Sequence, residues 1–366
     1  MNVMYAILIA AFLLVPLFYS KKKFCKTLGL VIFCSLLCFI SAFRGNFTAD
    51  YINYCNIYRL FAGKDISVLF DPNYDKVFYV ERGFGLLNII LARFFYNPQA
   101  IIIATSIIIV FVYFMLGKKV EDKFLYVLLL INIGSYFQSF NITRQILAAC
   151  IFMFSYTFVQ EKKFFKYCLT VLLATTFHVS SIIMLPFYWM LRWKISLRNT
   201  VMQILITSVT LYSFDSIMSF MDGALFDDKY AVYEVFGDAG IQTVVVPLAI
   251  CLFVVAALTV NTVSVKKGRK ISVSSAGEIN EKLQENAILY NGTIYWMLTY
   301  FMAMRYFYLY RFSAYFCMFA VMAVVKSADS IKSNSTRAII KGGMIILLSI
   351  YYIFFGQYFG NYVFCF

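Results

Sequence analysis

Long apolar runs recur from one end of this 366-residue chain to the other, and they restrict what it can fold into. Hydrophobic residues make up 62% of the sequence, and charged residues make up only 14%. An apolar run of roughly 18 or more residues is long enough to cross a bilayer as an α-helix, in which the backbone polar groups bond to one another. The sequence therefore predicts an all-α, polytopic integral membrane protein with roughly 11–13 transmembrane or re-entrant helices.

Basic residues cluster in short connections between the apolar runs, for example at 21–26. Because cytoplasmic loops of membrane proteins are enriched in lysine and arginine, these clusters predict which connections face the cytoplasm. They place the polar segment 263–286 in the cytoplasm. Alternation of the spans then places the segments 44–82 and 216–240 outside. No tandem repeat divides the chain, so we expect a single transmembrane domain over residues 1–366.

The same clusters account for the formal net charge of +14, so we expect no nucleic-acid partner. The nine cysteines are scattered and show no C-x-x-C pairing, and we interpret them as small apolar residues. With one histidine and no clustered ligand residues, the chain is expected to hold no tightly bound metal. We expect no other cofactor.

The apolar segment 83–96 is short for a full membrane span. If Arg82 lies outside and Lys118 lies inside, this segment and the next one, 99–117, together cross the membrane an odd number of times. We therefore interpret 83–96 as a re-entrant or partly inserted helix.

The segment 141–190 carries polar side chains where a membrane protein can least accommodate them. Asn141, Arg144 and Gln145 have helical spacing, so one face at the start of a helix carries all three. His178, the only histidine, joins two short apolar halves. Ionisable groups at membrane depth are costly and usually face a cavity, a partner or a substrate path, so we predict a site centred on Arg144 and His178. The alternative for His178 is a neutral structural role.

Several basic residues fall on the predicted outer side, against the trend that sets topology. They are Arg44, Arg82, Arg144, His178, Arg305 and Arg311. The planar guanidinium matches phosphate and carboxylate, whereas lysine would serve topology equally well. We therefore predict a pocket outside the cytoplasm for an anionic, membrane-embedded substrate. Alternatively, one or two of these arginines pair with carboxylates such as Asp50 or Glu81.

Tyrosines mark the outer segment 44–82. Tyr51, Tyr54 and Tyr58 lie on one stripe of a short predicted helix, and Asp50 precedes it. Tyrosine has an apolar face and a polar tip, so the stripe is either an interfacial helix at headgroup level or a platform for sugars.

Five motifs occur in the order seen in the EpsG-like family, which the chain resembles over about residues 40 to 320. They are FRGNFTADYINY, ERGFGLLN, NITRQILA, the histidine segment LLATTFHVSSIIMLP, and YRFSAYF. The resemblance implies a Wzy-type polymerase of O-antigen or exopolysaccharide, a multi-spanning glycosyltransferase of the bacterial inner membrane. It would join oligosaccharide units carried on undecaprenyl pyrophosphate, with its active site facing the periplasm. Its expected partners are this lipid-linked substrate, membrane lipids and a chain-length regulator protein.

Such a reaction needs an activated acceptor hydroxyl and stabilisation of the departing pyrophosphate. We expect Arg144 and Arg311 to stabilise the pyrophosphate. His178 is the expected general base, with Glu81 or Asp50 as the alternative. The residues expected to contact substrate are Arg44, Asp50, Tyr51, Tyr54, Arg82, Asn141, Gln145 and Arg305.

Three other functions would use similar residues. A flippase or transporter for the same lipid-linked sugar would need basic pocket residues, but internal repeats and polarity through the full depth of the bundle are typical of that class. A ligase that moves finished polymer is chemically closer. An O-acyltransferase would also place a histidine in a membrane cavity, but it has less use for several arginines. The polar residues of this chain concentrate at one predicted face of the membrane, which favours an enzyme. The choice between a polymerase and a ligase stays open at this point.

Overall fold

The computed structural model describes residues 3–48, 50–214, 216, 242–269 and 276–355. Its regular structure is helical, and no β-strand occurs in these ranges, which confirms the all-α prediction. The α-helices in chain order are α1 (Val3–Leu13), α2 (Val15–Phe18), α3 (Lys23–Ala42), α4 (Tyr51–Phe61), α5 (Tyr74–Phe78), α6 (Arg82–Ala92), α7 (Gln99–Lys118), α8 (Lys123–Ile133), α9 (Thr143–Gln160), α10 (Phe164–Thr175), α11 (Phe187–Met190), α12 (Leu197–Tyr212), α13 (Gln242–Arg269), α14 (Ala276–Ala303), α15 (Ser313–Asp329) and α16 (Asn334–Phe355). Short 3₁₀ helices cover Ile66–Phe70, Phe137–Phe140, Val179–Met184 and Phe307–Phe312.

Five segments of the described chain are long and apolar enough to cross a bilayer. They are Lys23–Ala42, Gln99–Lys118, Val244–Lys266, Phe307–Asp329 and Asn334–Phe354. The protein is therefore a multi-pass membrane protein. Most of the predicted outer loop 216–240 and the centre of the predicted cytoplasmic loop 263–286 lie outside the described residues.

The chain divides into two compact units, and the single transmembrane domain over residues 1–366 stays a prediction. The first unit comprises Met1–Pro186 and Ile331–Phe366, and the second comprises Phe187–Ser330. Each is described by itself.

In the first unit, α3 packs along α7, and α9 packs along α10. The Gln99 side chain joins α7 to the end of α3, because its Nε2 donates to the carbonyl oxygens of Ala42 at 2.6 Å and Arg44 at 3.2 Å. The Tyr51 hydroxyl donates to Gln99 Oε1 at 2.5 Å, which fastens the start of α4 to the same point. These hydrogen bonds join α3, α4 and α7 at the end of the first unit that carries the predicted outer segment 44–82.

Arg44 is packed inside the first unit, with a relative exposure of 1%. Its Nη1 donates to the carbonyl oxygen of Ser41 at 2.6 Å and lies 3.5 Å from Ser106 Oγ, and its guanidinium lies 5.0 Å from the Phe140 ring centroid. The guanidinium is thus covered by protein in this structure. The predicted contact of Arg44 with substrate stays a prediction.

Two of the predicted spans have different shapes in the structure. The apolar run at 124–140 predicts one span, but α8 ends at Ile133, where Gly134 follows and Ser135 adopts a left-handed backbone with φ 62°. The short segment predicted at 83–96 forms α6, whose 11 residues measure about 16 Å, half of a bilayer core. The short length is therefore confirmed, and its insertion in the membrane stays a prediction.

In the second unit, α14 packs against α12, α13 and α15. A chain of buried amides joins these elements. Gln203 Nε2 donates to Asn291 Oδ1 at 2.6 Å, and Asn291 Nδ2 donates to the carbonyl oxygens of Leu191 at 3.0 Å and Trp193 at 2.8 Å. Hydrogen bonds between side-chain amides help to join helices in a membrane, where apolar side chains gain little by contacting protein instead of lipid.

We predict that the segments 21–26, 192–198 and 263–286 face the cytoplasm and that 44–80 and 216–240 face outward. A cysteine at Lys64 should react with a membrane-impermeant maleimide in intact spheroplasts, because it lies in the outer segment and is exposed. A cysteine at Lys194 should react only after permeabilisation. The unmodified protein, with its nine natural cysteines, is the background control. The reverse labelling pattern would contradict this topology.

Candidate active site

An ion pair between Arg144 and Glu81 forms the centre of the candidate site in the first unit. Arg144 is the second residue of α9, and Glu81 is the residue that precedes α6. Guanidinium Nη1 contacts carboxylate Oε2, and the two side chains are 27% and 19% exposed. Because both charges lie at helix starts and are largely covered, each needs the other to offset the loss of hydration.

The other carboxylate oxygen of Glu81 binds the turn that contains His178. Oε1 accepts a hydrogen bond from the backbone N–H of Val179 at 3.3 Å. Glu81 therefore connects three parts of the chain, namely the start of α6, the start of α9 and the segment after α10. Glu81, Arg144 and His178 were all predicted catalytic candidates; the structure pairs Glu81 with Arg144 and bonds Glu81 to the backbone of Val179, the residue after His178.

A close approach between α6 and α10 fixes this arrangement. The N–H groups of Gly83 and Phe84 donate to the Thr176 carbonyl oxygen at 2.7 and 3.3 Å. A Cβ atom at Gly83 would lie 2.7 Å from that oxygen, so the approach depends on glycine. The first N–H groups of one helix thus bond to a carbonyl at the end of another, and both would otherwise lack a partner.

His178 lies between α10 and the 3₁₀ helix Val179–Met184 and is half-buried. Its Nδ1 lies 2.8 Å from the Ser180 hydroxyl and accepts the Ser180 backbone N–H at 3.3 Å. A neutral imidazole that accepts at Nδ1 carries its proton on Nε2. The apolar half before His178 is helical as predicted. The half after it is a 3₁₀ helix followed by the four residues of α11.

The Tyr54 side chain packs beside this site and is 5% exposed. Its hydroxyl donates to the carbonyl oxygen of Asn141 at 2.7 Å, and its ring centroid lies 5.9 Å from that of Phe84. Burial raises the pKa of the Tyr54 hydroxyl, and the nearby charge of Arg144 partly offsets that rise. Tyr54 thus ties α4 to the start of α9.

The tyrosine stripe faces protein rather than solvent. Tyr58 is buried and donates to the carbonyl oxygen of Phe95 at 2.6 Å, while Tyr51 is half-buried and donates to Gln99. The alternative of an open sugar platform therefore does not fit Tyr54 or Tyr58, because their rings are covered and their hydroxyls hold α4 in place. Substrate contacts of Tyr51 and Tyr54 stay predictions.

Arg82 contacts residues of the segment 44–82 rather than the Glu81 carboxylate. Its Nη2 lies 3.1 Å from Asp75 Oδ2, its Nε donates to the carbonyl oxygen of Leu69 at 2.9 Å, and its guanidinium lies 5.2 Å from the Tyr74 ring centroid. Burial raises the pKa of Tyr74 to about 12. With Arg144 on Glu81 and Arg82 on Asp75, the alternative that some outer arginines pair with carboxylates is correct for two of them.

The other predicted residues have varied surroundings. Asp50 precedes α4 and is half-buried, and Gln145 in α9 is 4% exposed. In the second unit, Arg305 is exposed and its Nε lies 3.2 Å from the Tyr306 hydroxyl. Arg311 is half-buried and lies two residues before α15. In the described ranges, no three His, Cys, Asp or Glu side chains come together as a metal-ligand set.

A family model described as the EpsG family matches residues 27–365. The chain belongs to the EpsG family. EpsG-like proteins are Wzy-type polymerases, so this EpsG-family chain is a membrane protein of the polysaccharide-polymerase type. A search of curated proteins and a search of solved structures each gave no match.

Three residues that surround the site were not predicted from the sequence. They are Asp75, Thr176 and Ser180, which hold Arg82, the start of α6 and His178 respectively. The sequence carried one signal of this contact, because Gly83 in the motif ERGFGLLN indicates a close backbone approach at a helix start. Nothing in the sequence identified Thr176 as the residue that Gly83 approaches.

We predict that Glu81 and Arg144 are energetically coupled. Glu81→Gln and Arg144→Gln should each lower the Tm of the purified protein, because each leaves the other charge largely covered and unpaired. The double substitution should lower it by less than the sum of the two. The control is the exposed pair of Arg93 and Asp65, 3.4 Å apart, for which Arg93→Gln and Asp65→Asn should be additive. Additive losses at Glu81 and Arg144 would contradict the pairing.

We also predict that the His178 imidazole is protonated at Nε2 near neutral pH. Because the chain has a single histidine, ¹⁵N-labelled histidine gives one set of ring signals in lipid, and the nitrogen shifts distinguish the two neutral tautomers. Ser180→Ala should weaken this preference, and Ser180→Thr, which keeps a hydroxyl, should preserve it. A proton found on Nδ1 in the unmodified protein would show that the hydrogen bond from the Ser180 N–H is not formed.

Proposed function

We propose that this EpsG-family protein polymerises oligosaccharide units carried on undecaprenyl pyrophosphate at the periplasmic face of the bacterial inner membrane. The observation that carries the proposal is the pair of Arg144 and Glu81 beside His178, in a chain whose family consists of Wzy-type polymerases. A cation that suits phosphate and a carboxylate that suits proton transfer stand together at the predicted outer ends of helices.

The reaction forms one bond and breaks one. The acceptor hydroxyl oxygen attacks the anomeric carbon of the donor sugar, and a glycosidic bond forms. The bond between that carbon and the pyrophosphate oxygen breaks, and lipid pyrophosphate leaves with the electron pair. The hydroxyl proton passes to a base on the protein. The protein supplies positive charge for the leaving group and a positioned proton acceptor.

Arg144 is the first proposed ligand of the pyrophosphate. Its place at the second residue of α9 adds the partial positive charge of a helix start to that of the guanidinium. In the structure its Nη1 is bonded to Glu81, so a pyrophosphate oxygen would take over this position from the carboxylate. Arg311, in the second unit, is the second proposed ligand; it is half-buried and lies in the last turn of the 3₁₀ helix that precedes α15.

The surroundings of the two candidate bases favour Glu81 as the proton acceptor. A carboxylate has about four lone-pair positions, and the contacts with Arg144 and Val179 use one on each oxygen. His178 instead accepts at Nδ1, so its neutral ring presents an Nε2–H donor. We therefore assign the base role to Glu81, and to His178 a hydrogen bond to an anionic oxygen of the substrate.

The remaining proposed contacts are peripheral. Asn141, Gln145 and Asp50 lie close in sequence to the ends of α9 and α4 that meet at the site, and Arg82 and Arg305 are exposed cations on the predicted outer side. We propose that these residues bind the sugar and phosphate groups of the substrate. A chain-length regulator is the proposed protein partner.

We predict that lysine cannot replace either proposed arginine. Arg144→Lys and Arg311→Lys should impair polymerisation as alanine does, because lysine keeps the charge but loses the two-pronged geometry. Removal of one such group costs about 10²–10³-fold in turnover in enzymes that stabilise a developing anion. The measurements are polymer length in a complemented deletion strain and turnover of a synthetic lipid-linked repeat unit in lipid.

The matched control is Arg93→Lys, an exposed arginine paired with Asp65, which should make normal polymer. The deletion strain should carry single repeat units on the final acceptor. Complete loss of surface glycan would indicate a flippase or a ligase instead, and full-length chains that lack an ester would indicate an acyltransferase. Normal polymer from both Arg144→Ala and Arg311→Ala would place the reaction elsewhere in the protein.

A further inference from the structure

Three aromatic rings converge in the second unit, on the motif RYFYLYR. Phe214 follows the end of α12, while Tyr306 and Tyr308 precede α15. The ring centroid of Phe214 lies 4.9 Å from that of Tyr306 and 5.9 Å from that of Tyr308, and the two tyrosine rings are 6.2 Å apart. We call these three residues the aromatic cup.

The rings of the cup are tilted rather than stacked. Their planes meet at 40° to 49°, and each of the three side chains is half-buried. Buried aromatic residues of this protein that serve only as core are far more covered, such as Trp296 and Tyr315, both at 0%. The cup therefore keeps part of its aromatic surface available for contact while its rings support one another.

The residues of the cup and the neighbouring Arg305 also carry hydrogen-bonding groups. Tyr306 and Tyr308 contribute phenolic oxygens, and Arg305 is exposed with its Nε 3.2 Å from the Tyr306 hydroxyl and its guanidinium 5.4 Å from the Tyr306 ring centroid. An aromatic face with donors at its rim matches a pyranose ring, which has a face of C–H bonds and an edge of hydroxyl groups.

We propose that the aromatic cup binds a pyranose ring of the glycan that this protein extends. The proposal rests on the proposed function, and it assigns the sugar part of the substrate to residues other than the proposed pyrophosphate ligands Arg144 and Arg311. The C–H face of the sugar packs on Tyr308 and Phe214, and Arg305 donates to its hydroxyl groups. A sugar platform was one of the two roles predicted for the tyrosine stripe of α4, and the proposal moves that role to the cup.

Tyrosines at the end of a span also serve as membrane anchors at headgroup level. The cup differs from a simple anchor because one of its rings comes from another helix, about 90 residues away in the sequence. Phe307, in the same 3₁₀ helix, contacts Tyr310 instead and is 40% exposed. A substitution of Phe307 therefore tests the anchoring role alone, and it distinguishes membrane anchoring from sugar binding.

The test is binding of a lipid-free oligosaccharide to the full-length protein in nanodiscs. The probe is the repeat unit released by mild acid from the polysaccharide of the source organism, so it carries no pyrophosphate. Saturation-transfer NMR with irradiation of aromatic protons should transfer signal to the C–H protons on one sugar face. Tyr306→Leu and Tyr308→Leu should each weaken the Kd by about three- to tenfold, the loss of an aromatic contact.

Three controls accompany these variants. Phe307→Leu should bind within about twofold of the unmodified protein, since the loss of one exposed apolar contact outside the cup removes no aromatic–sugar contact. Tyr308→Phe, which keeps the ring, should retain most of the binding and serves if the leucine variants fail to fold. Arg144→Ala should bind the probe normally, because that residue is assigned to the pyrophosphate.

Absence of saturation transfer in the unmodified protein, or normal binding by both leucine variants, would overturn the proposal. Equal weakening by Phe307→Leu would show that the segment acts through the membrane rather than through the sugar. The sugar-binding proposal and the proposed polymerase function can fail independently in these experiments. Normal polymer from the Arg144 and Arg311 variants would remove the polymerase mechanism without affecting the sugar site, and the converse also holds.

Discussion

The carboxylate of Glu81 holds together the part of the first unit on which function is proposed. One oxygen contacts Arg144 and the other accepts the N–H of Val179, so a single side chain fixes the ends of α6 and α9 and the turn that carries His178. Neither charge is well solvated, and an unpaired charge in such surroundings is costly. The backbone contact of Gly83 with Thr176 sets the distance that this carboxylate bridges.

In the proposed reaction, the same ion pair links substrate binding to chemistry. Arg144 in the structure is bonded to Glu81, and a pyrophosphate that takes this place releases one carboxylate oxygen. The released oxygen is then able to accept the proton of the acceptor hydroxyl. The bond of His178 with Ser180 leaves the imidazole as a donor, which suits an anionic substrate.

The tyrosines of the chain divide into two kinds by their surroundings. Those of α4 are buried or half-buried, and their hydroxyls bond to backbone or amide oxygens in neighbouring segments. Tyr306 and Tyr308 of RYFYLYR are half-buried, and their rings contact each other and Phe214. Because tyrosine combines an apolar ring with one polar tip, it is suited both to holding two protein segments together and to contacting a sugar. Only its neighbours decide between these uses.

The sequence by itself determined the class of the protein and the approximate place of the helix start at the candidate site. Apolar runs required an all-α membrane protein, and α9, which begins at Thr143, contains Arg144 and Gln145 as the spacing predicted but leaves Asn141 outside the helix. These features depend on residues close together in the chain, where periodicity and hydropathy act directly. The family motifs likewise lie within short segments.

Only the tertiary structure decided which of these residues meet. Glu81 and Arg144 are 63 positions apart, and Arg44, which was also predicted to contact substrate, is covered by Ser41, Ser106 and Phe140. The tyrosine stripe was predicted correctly as a stripe, but its orientation was set by Gln99, Asn141 and Phe95. Pairings of this kind follow from the docking of helix ends, and docking depends on close backbone approaches that local periodicity does not specify.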